Sequence, residues 1–120
     1  MSAQERASHC SAAPAMERIR HSWEFQRVYR QGKACSDAYF VLYCCPNGGV
    51  HTRFGLSVSR KVGSAVVRNR VKRVVREAVR TLACDLPKRC DLIIVARRPA
   101  ATIGYHEAVA SLQRLTAKIR

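Results

Sequence analysis

Residues able to carry out hydrolytic or metal chemistry are few and widely spaced in this chain of 120 residues. Its eight carboxylates form no close sequence pair of the kind that glycosidases and two-metal nucleases use. The four histidines, His9, His21, His51 and His106, have no HxxxH spacing. Because an active site needs convergent acid, base, nucleophile or metal groups, we do not expect the polypeptide alone to be a catalyst.

The cysteines suggest a zinc or disulfide site that their spacing does not support. None forms a CxxC pair, and the adjacent Cys44 and Cys45 would point to opposite faces of a strand. We therefore expect free thiols that pack as small apolar side chains, and we expect no zinc. The six cysteines are Cys10, Cys35, Cys44, Cys45, Cys84 and Cys90.

The charge of the chain points to a polyanionic partner. Lys and Arg number 22 against 8 Asp and Glu, a net charge of +14, and residues 61–120 hold 14 of the basic residues. Such like charge repels itself in a small fold, and nucleic acid relieves the repulsion best. An anionic membrane or another acidic surface would also relieve it. No apolar run approaches the roughly 18 residues that a transmembrane helix needs. With no secretory signal either, we expect a cytoplasmic protein.

The segment from Ser64 to Leu82 predicts a helix with one apolar and one cationic side. Its apolar stripe, at helical spacing, consists of Val67, Val71, Val74, Val75, Ala78 and Leu82. Opposite or beside this stripe lie Arg68, Asn69, Arg70, Lys72, Arg73, Arg76 and Arg80. A merely solvated helix normally mixes charges, and only Glu77 does so here. We therefore interpret the cationic side as a phosphate-binding surface.

Weaker patterns predict the elements that must position this helix. A first helix begins near Ser22 and ends at Gly32, and a last helix covers residues 104–119. Strands are predicted over residues 38–45, 53–59 and 90–96. The turn residues at 46–49 predict that the first two strands pair as a hairpin. Residues 1–15 lack periodicity and predict a disordered tail before one domain over residues 16–120.

Aromatic residues on the first helix and strand suit a second mode of nucleic-acid binding. Aromatic faces stack on unpaired bases with little sequence preference, although the same residues also suit plain core packing. These aromatics are Phe25, Tyr29, Phe40 and Tyr43.

Polar residues at two strand ends have the same double interpretation. The polar residues before the basic helix either contact phosphates or belong to an ordinary loop between a strand and a helix. The polar residues after the last strand either reach a phosphate or point into solvent. The residues at both strand ends are Ser57, Ser59, Arg60, Lys61, Arg97 and Arg98.

Residues 54–73 closely resemble the signature stretch of the bacterial ribonuclease P protein subunit family. The stretch contains Arg68-Asn69-Arg70, followed one residue later by Lys72-Arg73. Segments 25–32, 40–43 and 91–99 match the family pattern in the same order, so the resemblance covers roughly residues 17–117. A lone Arg-Asn-Arg triplet would be unspecific, whereas the long ordered match is highly specific.

The resemblance implies an α/β fold, an α+β two-layer sandwich of one domain in the order αβββαβα. The four-stranded sheet would be mostly antiparallel, with a left-handed βαβ crossover, as in some ribosomal proteins. The residue patterns alone find only two strands before the basic helix, and the left-handed crossover departs from the usual right-handed rule.

The resemblance also implies a function: a monomer in the holoenzyme, whose partners are ribonuclease P RNA and precursor tRNA. The RNA subunit, with bound Mg²⁺, would remove the 5′ leader. The implied contacts to this RNA are Arg60, Lys61, Arg68, Asn69, Arg70, Lys72, Arg73, Arg76 and Arg80. The implied leader-binding cleft contains Phe25, Tyr29, Phe40, Tyr43, Ser57, Ser59, Arg97 and Arg98.

Two other functions stay open at the level of sequence. A structural RNA-binding module, similar to a ribosomal protein, would need only the basic helix and no aromatic cleft. A Cys- or metal-dependent nuclease would need activity from the RNA-free protein. The presence of a second, aromatic surface therefore separates the first alternative from a leader-binding subunit.

Overall fold

A computed structural model describes residues 17–49 and 51–119, and the elements below are those of this part of the chain. The predicted tail over residues 1–15, with Cys10, lies outside the described residues. The elements are β1 (Glu17–Arg18), α1 (Ser22–Gln31), β2 (Lys33–Ser36), β3 (Phe40–Pro46), β4 (Arg53–Ser57), α2 (Ala65–Thr81), β5 (Cys90–Ala96) and α3 (Tyr105–Ile119). Short 3₁₀ turns at Ala83–Asp85 and Arg98–Thr102 flank β5.

The strands form one sheet in the order β1-β4-β5-β3-β2. Strand β3 pairs antiparallel with both β2 and β5, whereas β4 pairs parallel with β5 and with the two-residue β1. Apart from β1, the element order αβββαβα and the four-stranded, mostly antiparallel sheet are confirmed. Helix α2 connects the parallel strands β4 and β5, and the left-handed sense of that crossover stays a prediction.

The hairpin predicted between residues 38–45 and 53–59 is wrong. These segments form β3 and β4, and β5 lies between them in the sheet. The turn chemistry itself is present: Gly48 has a φ of +68°, and the Gly49 N–H donates to Asn47 Oδ1 over 2.7 Å. Six of the seven residues of β5 are buried. A strand covered on both faces belongs in the sheet interior, and β5 has a partner on each side because it lies between β3 and β4.

Helix α2 has nearly the bounds that its periodicity predicts. It runs from Ala65 to Thr81, with Leu82 at its C-cap. Ser64 is the N-cap, and its Oγ accepts a hydrogen bond from the Val67 N–H over 3.4 Å. Helix α1 has its N-cap at His21, and Ser22, the predicted start, is its first helical residue.

Alternation along the strands divides the core between the two faces of the sheet. Even-numbered residues such as Leu42, Leu92 and Ile94 face the larger core, which α2 and α3 cover. Odd-numbered residues such as Cys45 and Ile93 face a smaller core with Val28 of α1. The parity of a residue in β3, β4 or β5 therefore decides which helices it meets.

A buried carboxylate ties α1 to the sheet. Asp91 of β5 has no solvent exposure and accepts hydrogen bonds from Arg53 Nε at 2.9 Å, Arg53 Nη2 at 2.7 Å and Arg27 Nη2 at 2.6 Å. Asn47 Nδ2 donates to the same group over 3.0 Å. Arg53 also contacts Glu24 Oε2 of α1 at 2.6 Å. We call these five residues the Asp91 network.

Electrostatics keep both acids of the Asp91 network ionised. Burial alone would raise the pKa of Asp91, but hydrogen bonds from Arg53 and Asn47 outweigh it and hold that pKa below its usual value. The pKa of Glu24 is likewise lowered: burial alone would raise it, but the hydrogen bonds from Arg53 and the His21 backbone, together with the positive charge of Arg53, outweigh burial. Both carboxylates therefore stabilise the fold in the form that prevails at neutral pH.

The thiols of the described residues are partly as expected. Cys35, Cys44, Cys45 and Cys90 are free, which confirms the prediction for these four. Cys84 is disulfide-bonded, so the prediction of a free thiol is wrong for that residue. Burial and the neighbouring Cys90 raise the pKa of Cys44 to about 12. Burial also raises the pKa of Cys35. At neutral pH both sulfurs are thus protonated and pack as apolar groups.

Replacing the central acid of the network should destabilise the protein strongly. Asp91→Asn removes the acid that pairs with Arg27 and leaves Arg53 paired with Glu24 alone, and we expect a loss of about 3 kcal/mol in the free energy of unfolding. The change should also flatten the acid limb of the stability curve. A lowered folded pKa adds stability above roughly pH 4, which is lost as the pH falls through that pKa. Urea unfolding from pH 7 to pH 3 measures both effects.

The matched control is Glu77→Gln, which removes an exposed acid paired with Arg80 at 3.3 Å. Exposed pairs contribute little, so the control should change stability by less than about 1 kcal/mol. Equal losses for the two variants would contradict a stabilising role for the Asp91 network.

Candidate nucleic-acid interface

Helix α2 presents cations to solvent along its length. Arg73 and Arg80 are exposed, whereas Val71 and Val75 on the opposite side are fully buried. Glu77, the one acid of this helix, pairs with Arg80. The basic face, as we define it, consists of Arg68, Asn69, Lys72, Arg73, Arg76 and Arg80. Its charges are free to meet phosphates at little cost in internal contacts.

Arg70 differs from its neighbours because its guanidinium is used inside the fold. Arg70 Nη1 donates to the carbonyl of Ala101 over 3.1 Å, and Nη2 donates to the carbonyl of Ile103 over 2.8 Å. Both acceptors lie between β5 and α3, so Arg70 fixes the basic helix against the chain that follows the sheet. The position of Arg70 beside the apolar stripe was the sequence signal for this role.

The loop before α2 gathers three further cations. Arg60 and Lys61 are exposed, and the loop is anchored by the buried Val62, whose N–H donates to the Ser59 carbonyl over 3.1 Å. Arg98 joins them, because its Nε donates to the Lys61 carbonyl over 3.3 Å. The structure thus brings Arg98 to the N-terminal end of the basic face.

Arg97 lies elsewhere, although it adjoins Arg98 in sequence. Arg97 Nη1 donates to the Asp37 carbonyl over 2.7 Å, at the turn between β2 and β3. The Arg97 N–H donates to the Tyr39 carbonyl over 2.8 Å. The side chains of Arg97 and Arg98, which were predicted to share one cleft, therefore point to different parts of the surface. Ser59, predicted for the same cleft, is exposed in the loop before α2.

Aromatic residues of α1 and β3 come together at the odd-numbered face of the sheet. The rings of Tyr29 and Tyr43 meet edge to face with centroids 4.9 Å apart, and Phe25 lies 6.3 Å from Tyr29. Tyr29 keeps 40% of its surface exposed. Ser57 hydrogen-bonds with Tyr29, but burial dominates and raises the pKa of Tyr29, so its phenol stays neutral. We call Phe25, Tyr29, Tyr43 and Ser57 the aromatic cleft.

A glycine lets α1 approach the sheet at this point. A Cβ added to Gly55 would lie 2.6 Å from the Phe25 ring, closer than any real contact allows. Gly55 therefore provides the space in which the Phe25 ring rests on β4.

Phe40 is not part of this cleft, and its assignment there was wrong. Its side chain is fully buried and belongs to the core under α2 and α3. Positions 40 and 43 of one strand have opposite parity, so their side chains point to opposite faces. The alternation of β3 was the signal that separates them.

A groove at the sheet edge connects the two surfaces. It has a volume of about 460 Å³ and is bordered by Phe25 of the aromatic cleft, by Gly55 beneath it and by Arg76 of the basic face. Arg18 and Arg20, both exposed, lie along it beside β1. Nothing in the sequence patterns indicates that these two arginines lie near Arg76.

Two findings bear on other kinds of site. Over residues 17–49 and 51–119, no three His, Cys, Asp or Glu side chains lie close enough together to hold a metal ion. Within the same ranges, no helix combines the length and apolarity needed to cross a membrane.

The internal role of Arg70 can be separated from the surface role of its neighbours. Arg70→Ala should lower the free energy of unfolding by about 2 kcal/mol, because charged hydrogen bonds to two carbonyls are lost. Arg73→Ala, on the exposed side of the same helix, should change it by less than about 0.5 kcal/mol. Thermal and urea unfolding of both variants measures the difference, and equal stability of the two would refute the internal role.

Comparison with known proteins agrees with this geometry. The family model for ribonuclease P matches residues 13–120. The ribonuclease P protein component of Listeria monocytogenes is 43% identical over 96 residues, covering 79% of this chain and 81% of that protein. The counterpart in Shouchella clausii is 40% identical over 105 residues, covering 87% and 86%.

Solved structures show the same likeness. The RNase P protein of Staphylococcus aureus superposes with a TM-score of 0.76 at 35% identity, covering 88% of this chain and 98% of that one. The RNase P protein of Thermotoga maritima superposes with a TM-score of 0.79 at 30% identity, covering 87% and 98%. The match in sequence extends over most of both chains and the match in fold over nearly all of both, and the chain therefore belongs to the ribonuclease P protein family.

Proposed function

We propose that this chain binds the catalytic RNA of ribonuclease P through its basic face and the 5′ leader of precursor tRNA through its aromatic cleft. Family membership already implies a role in tRNA processing, as a subunit of an endoribonuclease holoenzyme that contains an RNA subunit. The proposal adds which surface meets which RNA. It places one copy of the chain in each holoenzyme and its work in the cytoplasm.

The observation that carries the proposal is the presence of two chemically different surfaces. The basic face of α2 is cationic and has no exposed aromatic ring among its members. The aromatic cleft lies between α1 and the other face of the sheet. A structural RNA binder needs only the first surface, whereas a subunit that also holds a single strand needs the second.

The basic face suits structured RNA, whose backbone presents phosphates at regular spacing. Each cation that neutralises a phosphate releases condensed counterions, so affinity rises with the number of contacts and falls with salt. Arg73 and Arg80 make no contact that the core requires, and Arg70 keeps α2 in place. Recognition by this face depends on helix position and charge rather than on base sequence.

The aromatic cleft suits an unpaired strand. Exposed parts of Tyr29 and Tyr43 offer ring faces and edges, and the neutral phenol of Tyr29 places no negative charge beside phosphates. The groove at the sheet edge continues from Phe25 to Arg76, so one RNA path connects the cleft with the basic face. Arg18 and Arg20 supply cations along that path.

The metal in this proposal belongs to the RNA subunit. The described carboxylates provide no grouped oxygen donors for Mg²⁺, and the buried pair Glu24 and Asp91 is neutralised by arginines. Mg²⁺ held by RNA would activate the water that cleaves the phosphodiester bond. The contribution of this chain is then to bind, orient and hold the substrate near that centre.

Reconstitution tests the proposal as a whole. Purified protein mixed with a ribonuclease P RNA and precursor tRNA at low Mg²⁺ should stimulate cleavage at the mature 5′ end, whereas protein alone should be inactive. Correct cleavage by nuclease-free protein without RNA would refute the assignment of catalysis to RNA. No stimulation would favour a structural RNA-binding module instead.

The cleft should matter only for substrates that carry a leader. Tyr29→Leu removes a ring that stacks on an unpaired base, a contribution of about 1–3 kcal/mol. The assembled holoenzyme should then bind precursor tRNA more weakly but bind leaderless tRNA as before. Affinities of wild type and variant for both substrates, after circular dichroism confirms folding, give the comparison. Equal weakening for both substrates would mean that Tyr29 is not a leader contact.

The basic face should act on the other partner. Arg73→Ala should weaken binding to the catalytic RNA and lower the steepness of its salt dependence by about one phosphate contact. The affinity ratio between precursor and leaderless tRNA should not change in the assembled holoenzyme. Binding titrations from low to physiological salt measure both quantities, and an unaltered salt slope would count against Arg73 as a phosphate contact.

A further inference from the structure

The outer side of α1 carries an exposed tryptophan that neither the fold nor the proposed cleft uses. Trp23, the one tryptophan of the chain, has 65% of its surface exposed. It stands in the first turn of α1, away from the inward-facing Val28. A ring of this size contributes to the core only when buried, so its exposure leaves a large apolar face available to a partner.

The surroundings of Trp23 are polar and cationic. The indole lines a shallow concavity of about 340 Å³ with Gln26, Arg27, Arg30 and Gln31. This volume lies at the lower end of what small-molecule sites occupy. The indole also stacks on His21, with the two planes 15° apart and the ring centroids separated by 6.2 Å.

The two arginines of the concavity have different tasks. Arg27 donates to Asp91 over 2.6 Å and belongs to the Asp91 network. Arg30 is exposed and stands two helical turns beyond Trp23 on the same side of α1. Over residues 17–49 and 51–119, the lining of the concavity includes no carboxylate, and the nearby Glu24 is buried against Arg53. The site thus offers a ring face and the guanidinium of Arg30, which makes no ion pair with the residues that the structure describes.

We propose that Trp23 and Arg30 form a second site for an unpaired nucleotide, with the base stacked on the indole and a phosphate at the guanidinium. A flat apolar face beside a free cation fits the two halves of a nucleotide, a π-faced base and an anionic phosphate. An acidic peptide would use the cation but not the ring face, and an apolar partner would leave the cation unpaired.

The nucleotide belongs to the leader, beyond the segment in the aromatic cleft; this assignment rests on the proposed function. Helix α1 carries both sites, since Tyr29 borders the cleft and Trp23 lies on the outer side of the same ten-residue helix. A strand that leaves the cleft around α1 reaches Trp23 after a few more nucleotides. Structured RNA, whose bases are paired, has no free base face to offer the indole.

Leader length separates the two sites in an experiment. Affinities of the assembled holoenzyme are measured for leaderless tRNA, for precursor with a short leader, and for precursors with progressively longer leaders. Wild type should gain affinity in two steps. Trp23→Ala should remove the second step, an effect of about tenfold within the range of a base–aromatic stack, and leave the first. Tyr29→Leu should reduce the first step.

Fluorescence gives a direct readout, because Trp23 is the only indole of the chain. Its emission should change when a long-leader substrate binds and stay constant with a leaderless one. Trp23→Phe should retain most of the second step, since a ring face remains. Arg30→Gln should reduce the second step and its salt dependence, whereas Lys118→Gln, an exposed cation of α3, should not.

The outcomes that overturn the proposal are distinct from failure of the proposed function. Trp23→Ala with unchanged affinity at every leader length overturns the second site. An equal fluorescence change with leaderless tRNA would assign the Trp23 surface to another part of the RNA and also overturn the second site. A Trp23→Ala effect seen only as loss of self-association in sedimentation would assign the surface to a second copy of the chain and overturn the second site as well. In each of these cases the Tyr29 effect persists. A wild type without any leader preference would instead contradict the proposed function itself.

Discussion

A carboxylate removed from water is stable only if positive and hydrogen-bonding groups surround it, and Asp91 imposes that requirement on this fold. Its partners come from three separate segments: Arg27 from α1, Arg53 from β4, and Asn47 from the turn after β3. Each partner fixes its segment relative to β5. The floor of the aromatic cleft is the sheet and its roof is α1, so the Asp91 network contributes directly to the spacing across the cleft.

The arginines of this chain divide into those that hold the fold and those that face solvent. Arg53 and Arg70 use their guanidinium groups on internal acceptors, whereas Arg73 and Arg30 make no such contacts within the described part of the chain. The planar guanidinium suits both tasks, because it stays charged and donates several hydrogen bonds in fixed directions. The high net charge is therefore only partly a binding surface, and counting basic residues overstates the number available to RNA.

Sequence patterns predicted the elements whose information is local. The period of its apolar stripe was sufficient to place both ends of α2. The failures concern information that is not local: the sequence does not show that β5 inserts between β3 and β4, nor that Arg70 reaches the carbonyl of Ile103. Strand β2 was missed because it is a mostly exposed edge strand without apolar alternation. The misplacement of Phe40, by contrast, could have been avoided by applying the alternation of β3.

The position of β5 also has a consequence for the order in which the chain assembles. The central strand of the sheet is the last strand in sequence, and its Asp91 meets Arg53 across a separation of 38 residues. Until β5 has been synthesised, β3 and β4 each lack a neighbour and expose unpaired backbone edges. A nascent chain that stops before residue 90 can form the local β2–β3 pairing and the helix α2, but the sheet stays open. Folding of this small protein is therefore set by a late, long-range closure, and ribosomal pausing before β5 would prolong the aggregation-prone interval.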